Sequence, residues 1–236
     1  MNLDLVGFVR SIEELIYEIT TWVVLLPKTL IKVIINPGWG REYVTEEFKK
    51  EPEKRFDDYL SPFIFWFLLG VTPFLLFVVI NAENQEGLKQ FTGDIFEPGI
   101  ILICNLVFPI IYSAGMLIIS KENIARISFR RPLYFEAMLF APVFLVFWSI
   151  YYSSNEVDIF SSISSGGWKS AILVLTILWA LWGQQKILKQ ELERNWTVTL
   201  LLNIGLLILA TTVFIYLLAT ILGLNAIYPA ELSLLQ

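Results

Sequence analysis

The sequence has no histidine, a single cysteine and few charged side chains. Its 236 residues include 17 Lys and Arg and 22 Asp and Glu, a net charge of −5. Without histidine, a His-based catalytic triad, a His-ligated metal site and an imidazole proton shuttle are excluded. The single cysteine, Cys104, excludes an intrachain disulfide. The acidic balance argues against a nucleic-acid surface.

The shortage of charge is concentrated in five long apolar blocks. Charged residues make up 17% of the chain, whereas soluble domains contain roughly 25%. No Asp, Glu, Lys or Arg occurs within 62–82, 98–120, 137–155, 170–185 and 195–230. An apolar helix of about 18 or more residues can cross a bilayer core, where backbone groups must bond within the segment. The composition therefore predicts an all-α integral membrane protein.

We expect five transmembrane helices, at 62–81, 98–120, 133–152, 168–185 and 197–224. A cytoplasmic or interfacial helical region at 1–61 precedes them, and an extracytoplasmic tail at 225–236 follows. The segments 1–61, 121–132 and 186–196 together hold fifteen Lys and Arg, whereas the opposite side has two, Lys89 and Lys169, the latter at the start of the fourth span. The positive-inside rule therefore predicts a cytoplasmic N-terminus and an extracytoplasmic C-terminus. A bacterial inner or plasma membrane is the expected location.

The N-terminal residues predict an amphipathic helix. Apolar residues recur at spacings of three and four, at Leu5, Phe8, Val9, Ile12, Ile16, Ile19, Val23 and Leu26. Pro27 is expected to end or kink this helix, and Asn36-Pro37-Gly38 predicts a turn. Two environments remain open for the helix, which are the membrane interface and the surface of the other spans.

The segment 41–58, REYVTEEFKKEPEKRFDD, carries five positive and seven negative charges. Opposite charges three and four residues apart are typical of a solvated helix with weak ion pairs. The segment is therefore either a soluble connector or a docking surface for a cytosolic protein. The candidate docking residues are Glu46, Glu47, Lys49 and Lys50.

The spans offer little catalytic chemistry. Their uncharged blocks contain no nucleophile beside a base, so we expect no enzyme, no cofactor and no metal site. Glu136 lies a few residues inside the third span, and an ionisable group at membrane depth is a functional candidate by default. It is either a boundary carboxylate paired with Arg130 or Arg131, or a charge at the inner mouth of a pathway.

Neutral polar residues and prolines distinguish the spans from plain apolar helices. The polar candidates, either pore-lining or bonding between helices, are Asn105, Ser113, Asn203, Thr211 and Thr212. Pro73, Pro109 and Pro142 lie inside the first three spans and predict kinks. Such kinks either serve packing or frame a cavity.

The order of segments resembles the Yip domain family, the Ypt-interacting and permease-like membrane proteins. The residues that carry the resemblance are the Asn-Pro stretch in KVIINPGWGREYVTEEF and the start of the third span, RRPLYFEAMLFAPVF. In that family an apolar Asn/Asp-Pro stretch precedes a polar segment and a five-helix membrane domain. The resemblance covers about residues 25–224. It implies this architecture and, as a function, a membrane adaptor in trafficking.

Two functions follow as expectations. The first is a homo-oligomeric passive channel or pore, including a membrane-permeabilising effector, gated through the cytoplasmic N-terminal region. The second is a Yip-type adaptor that binds cytosolic or membrane partners without conducting. Membrane lipids, further copies of the chain and a cytosolic protein at 41–58 are the expected partners, and nucleic acid is not.

Overall fold

The computed structural model describes residues 5–81, 102–123, 125–153 and 167–221. All regular structure in these ranges is helical, as predicted. The helices are α1 (Leu5–Ile35), α2 (Trp39–Glu47), α3 (Pro62–Asn81), α4 (Val107–Ser120), α5 (Arg126–Ser153), α6 (Trp168–Leu192) and α7 (Trp196–Ile221), with a 3-10 helix at Pro52–Lys54.

Within the described ranges, five segments are long and apolar enough to cross a membrane, which equals the number of spans predicted. They are Pro62–Ile80, Leu102–Ser120, Ser128–Tyr152, Trp168–Leu192 and Trp196–Leu217. The third begins before the predicted residue 133, and the fourth continues past the predicted residue 185. Residues 98–101, 222–224 and the predicted tail at 225–236 lie outside the described residues.

Helix α5 is the centre of the bundle. It packs against α3, α4 and α6 and also contacts α2. Of the five apolar segments it is the most buried, whereas α3 and α7 mostly face outward. Its fully buried side chains include Phe135, Met138, Leu139 and Ala141.

Three of the helices continue through their internal prolines. Pro27 does not end α1, which runs through it to Ile35, and Thr29 and Val33, which follow it, are buried against the bundle. Tertiary packing therefore supports the helix after the lost backbone bond. Helices α3 and α5 also continue through Pro73 and Pro142.

Pro109 coincides with a real interruption. The helical residues 102–105 are separated from α4 by a turn at Leu106. Proline lacks the N–H that would bond to the carbonyl four residues earlier, at Asn105, and its ring crowds that carbonyl. The predicted irregularity near Pro109 is therefore present.

The two halves of α1 have different surroundings. In the first half, apolar side chains such as Leu15 and Ile16 are more than half exposed. The second half packs on the bundle through contacts with α2 and α5. It ends at the predicted turn, where the Trp39 N–H donates to the Asn36 carbonyl over 2.9 Å.

The charged segment after this turn is not a freely solvated helix. Tyr43, Val44 and Glu47 on α2 are buried, and α2 packs against α5. Gly40 makes this approach close, because a Cβ there would lie 3.3 Å from Cβ of Met138. The prediction of a soluble connector is therefore wrong for α2. We call the end of the bundle that carries α2 and the 3-10 helix the α2 end.

Candidate functional site

Polar side chains inside the bundle bond across neighbouring helices. Tyr112 on α4 donates its hydroxyl to Oδ1 of Asn203 on α7, over 2.9 Å. The amide nitrogen of Asn203 donates to the Leu181 carbonyl on α6, over 3.1 Å. Tyr112 and Asn203 are both buried. The pair therefore joins three helices, as expected for polar groups that lack access to water.

A second bonded pair contains the carboxyl group of Glu136. Glu136 on α5 is fully buried, and Nε2 of Gln184 on α6 donates to its Oε1 over 2.8 Å. Oε2 of Glu136 and Oε1 of Gln184 have no protein partner. The buried carboxyl group is thus held at the junction of α5 and α6 by one hydrogen bond.

The predicted pairing of Glu136 with Arg130 or Arg131 is wrong. Arg131 donates through Nη2 to Oε1 of Glu191 over 2.8 Å, and Arg130 donates to the hydroxyl of Tyr134 over 3.1 Å. Residues five and six apart on a helix do not share a face. The helical geometry therefore separates Glu136 from both arginines.

Glu191 near the end of α6 instead receives two arginines. Arg41 on α2 and Arg131 on α5 both bond to its Oε1. All three side chains are partly exposed. This cluster ties α2, α5 and α6 together and leaves one excess positive charge. Only the fold could identify it, because Arg41 and Glu191 are 150 residues apart.

Two further polar pairs lie inside the bundle. Nε2 of Gln185 on α6 donates to Oγ1 of Thr199 on α7 over 2.6 Å. Nε1 of Trp148 on α5 donates to Oδ1 of Asn105 over 3.2 Å. The sequence offered one signal for the glutamines, the adjacent Gln184-Gln185 at the end of an uncharged block. The buried polar network consists of these four pairs: Tyr112–Asn203, Glu136–Gln184, Gln185–Thr199 and Trp148–Asn105.

The five predicted pore-lining residues are distributed over different surfaces. Asn105 and Asn203 belong to the buried polar network. Ser113 is buried and donates to the Pro109 carbonyl of its own helix over 2.6 Å. Thr211 is partly buried, whereas Thr212 is exposed and donates to the Ile208 carbonyl over 2.8 Å. These side chains therefore do not share one bonded group within the chain.

The α2 end is organised around aromatic rings. Consecutive ring contacts connect Trp39, Tyr43, Phe48, Phe56, Tyr59 and Tyr134. The hydroxyl of Tyr43 donates to the Tyr59 carbonyl over 3.0 Å, and burial raises the pKa of Tyr43 well above its ordinary value. The aromatic cluster therefore forms a small core that holds residues 39–59 against α5.

The four predicted docking residues divide into two groups. The Glu46–Lys49 pair, 2.7 Å apart, is exposed. Glu47 is buried, where its carboxylate accepts from Lys50 Nζ and from the Phe56 backbone N–H, each over 2.6 Å. The hydrogen bond to Glu47 is the main reason that the pKa of Lys50 is raised. Glu47 therefore bonds within the fold of the α2 end, whereas Glu46 and Lys49 remain exposed and available to a partner.

Two cavities open at the α2 end. The first, about 240 Å³, contacts Phe48, Phe135, Arg131, Glu191 and Glu122 among others. The second, about 600 Å³, is an open cleft lined by Phe48, Arg55, Arg126 and Arg130. Both meet at Phe48, so a basic cleft and a mixed apolar and polar cavity share one wall.

Residues 5–81, 102–123, 125–153 and 167–221 contain no group of three acidic or thiol side chains placed to hold a metal ion. Comparisons with protein-family models, curated proteins and solved structures gave no match. The resemblance to the Yip domain family therefore rests on the sequence pattern alone.

Proposed function

We propose that the chain is a non-conducting membrane scaffold that binds a cytosolic protein at its α2 end. The observation that carries the proposal is the buried polar network. Its amide, hydroxyl and carboxyl groups bond across helix contacts within one chain, and an aqueous path would have to compete with those bonds. Polar groups used in this way hold helices together in a membrane.

The shape of the α2 end supports recruitment of a partner. Residues 39–59 fold onto the bundle through the aromatic cluster, so a partner would meet an ordered surface. The exposed ion pairs Glu46–Lys49 and Glu51–Lys54 present alternating charges on that surface. Preorganised charged groups favour specific association because less conformational entropy is lost on binding.

Flux through reconstituted liposomes tests the non-conducting part of the proposal. Ion and small-dye flux with inserted, folded protein should equal that of empty liposomes, and Asn203→Leu should not change it. Flux that grows with the amount of protein would contradict the scaffold. Flux that also changes with Asn203→Leu would assign the buried polar network to a pathway.

Charge exchange at the exposed pair tests the docking part. Glu46→Lys combined with Lys49→Glu retains the net charge and should abolish capture of the cytosolic partner. The matched control exchanges the exposed Arg10–Glu14 pair on α1. A partner identified in this way should bind the purified wild-type protein directly. Equal capture by both exchanged variants would remove the Glu46–Lys49 surface from the proposal.

A second candidate is a pore formed between several copies of the chain. Thr212 on α7 is exposed and Thr176 on α6 is partly exposed, so a neighbouring copy could meet both side chains. A path between copies would use these threonines and leave the buried polar network intact. Thr212→Val should then reduce flux, whereas Asn203→Leu should act only through stability.

A further inference from the structure

Three arginines at the α2 end face a cleft, and no acidic residue of the described part of the chain pairs with them. Arg55 follows the 3-10 helix, and Arg126 and Arg130 lie in the first two turns of α5. With Phe48 they line the open cleft of about 600 Å³. The ion pairs found in the described ranges use other cations. Three positive charges therefore share this cleft, with no carboxylate of the described residues at ion-pair distance.

The guanidinium groups of Arg55 and Arg130 are held in position by neutral groups. Arg55 donates to the Lys50 carbonyl over 3.1 Å and to the Phe48 carbonyl over 3.3 Å. Arg130 donates through Nε and Nη2 to the Tyr134 hydroxyl. A guanidinium has five N–H donors, so both groups keep donors for a ligand.

Phe48 brings these two guanidinium groups to one place. Its ring centroid lies 5.1 Å from Cζ of Arg55 and 5.6 Å from Cζ of Arg130. The ring attracts both cations and partly offsets their mutual repulsion. The Arg41–Glu191–Arg131 cluster nearby adds one further positive charge. An oxyanion in the cleft would relieve the repulsion, and guanidinium groups match phosphate oxygens in geometry.

The position of the cleft indicates the source of the phosphate. Arg126 and Arg130 lie at the start of the apolar segment Ser128–Tyr152, so in a bilayer they would stand at headgroup depth. Basic pockets beside transmembrane helices bind anionic headgroups at this depth. We propose that Arg55, Arg126 and Arg130 bind the phosphate group of an anionic membrane lipid, with Phe48 holding two of the guanidinium groups. This inference is independent of the scaffold function.

Lipid titration of the purified full-length protein tests the site. Phosphatidylglycerol is added to the protein in neutral detergent, phosphatidylcholine serves as the zwitterionic lipid, and bound lipid is counted by native mass spectrometry. Phosphatidylglycerol should bind in preference to phosphatidylcholine. Replacing Arg55, Arg126 and Arg130 with Gln should weaken phosphatidylglycerol binding about a hundredfold, since each basic residue near a membrane contributes about fivefold.

The matched control replaces Arg10, Lys54 and Lys121 with Gln, which removes the same charge from exposed positions outside the cleft. Equal weakening in both triple variants would overturn the site and indicate general charge attraction. Equal binding of phosphatidylcholine would also overturn it. Displacement of the lipid by millimolar inorganic phosphate would identify a site for soluble anions and overturn the lipid assignment.

A second variant guards against misfolding. Arg55 bonds two backbone carbonyls, so the triple variant changes a fold contact as well as the cleft. The double variant Arg126→Gln, Arg130→Gln leaves those bonds in place and should weaken phosphatidylglycerol binding about 25-fold, from the same fivefold contribution per residue. Its melting temperature without lipid should equal that of the wild type. Unchanged binding in this folded double variant would overturn the proposal.

Discussion

The buried polar network and the α2 end place their polar groups in opposite surroundings. In the network, neutral amides and hydroxyls, with the carboxyl group of Glu136, bond across helices and away from the surface. At the α2 end, some charges pair on a folded aromatic surface, and three arginines face an open cleft. The difference indicates that polarity inside the bundle serves cohesion, while polarity at the α2 end is available for recognition.

Asn203→Leu tests whether the buried polar network holds the helices together. We expect it to have the largest effect on stability. The substitution removes the side-chain acceptor of the Tyr112 hydroxyl and the side-chain donor to the Leu181 carbonyl. The hydroxyl then has only the backbone carbonyl of residue 203, at 3.1 Å, as its acceptor. We expect the free energy of unfolding to fall by about 1–3 kcal/mol. Denaturant titration in detergent micelles measures it.

A double-mutant cycle with Tyr112→Phe separates the hydrogen bond from packing. If the bond is the cause, Tyr112→Phe should cost less in the Asn203→Leu background than in the wild type. Purely additive losses would contradict a direct contribution from the Tyr112–Asn203 bond.

Glu47→Ala tests whether a charged side chain at the α2 end stabilises the fold. It removes the acceptor of the Phe56 N–H and the partner of Lys50, so we expect a loss of about 1–2 kcal/mol. Glu46→Ala is the matched control, because Glu46 is exposed and should change stability by less than about 0.5 kcal/mol. Thermal unfolding in one detergent measures both. Similar losses would show that burial does not distinguish the two carboxylates.

Glu136→Gln tests whether the buried carboxyl group acts as a bonding group or as a charge. An amide retains an acceptor for Gln184 and removes the cost of burying an ionisable group. We expect unchanged or higher stability, within about 1 kcal/mol. Glu136→Leu should be less stable than Glu136→Gln, because Gln184 Nε2 would then lose its acceptor. A marked loss in Glu136→Gln would indicate that the carboxylate charge itself is needed.

Alkaline pH should weaken the α2 end before the bundle. The hydrogen bond to Glu47, with smaller contributions from Asp58 and Asp57, raises the pKa of Lys50 in the folded state. The resulting stabilisation is fully present below the pKa of Lys50 in the unfolded chain and is lost as pH rises through its folded-state pKa. The melting temperature of the wild type should therefore fall more at alkaline pH than that of Lys50→Gln. Of the four effects predicted here, we expect this one to be the smallest. An equal fall in both proteins would contradict this assignment.

The sequence predicted the helices well because their signals are local. Uncharged blocks indicate apolar helices directly, and Asn36-Pro37-Gly38 marks the end of α1. Pro27 does not end α1, because its local cost is offset by the burial of Thr29 and Val33, which depends on the tertiary fold. Local rules cannot anticipate such packing.

The hydrogen-bond partners inside the bundle could not be predicted, because they depend on how each helix is rotated and where it lies along the bundle axis. Glu136 and Gln184 are 48 residues apart, and Tyr112 and Asn203 are 91 apart. Sequence identified Asn203 and Glu136 as unusual but not the groups that they meet. Sequence also treated Glu46 and Glu47 alike. Adjacent residues on a helix point in different directions, so Glu47 is buried and Glu46 is exposed to solvent.

The lone Cys104 gives the protein a built-in reporter for thiol chemistry. Its side chain is buried in the bundle. A maleimide should therefore not react with Cys104 in the folded wild-type chain, and should label Cys104 once the helices separate. Cysteines introduced at Glu46 or Lys121 would then react with the maleimide, without a contribution from the buried Cys104. Impermeant reagents applied to either face of a sealed vesicle would reveal which side of the membrane carries the α2 end.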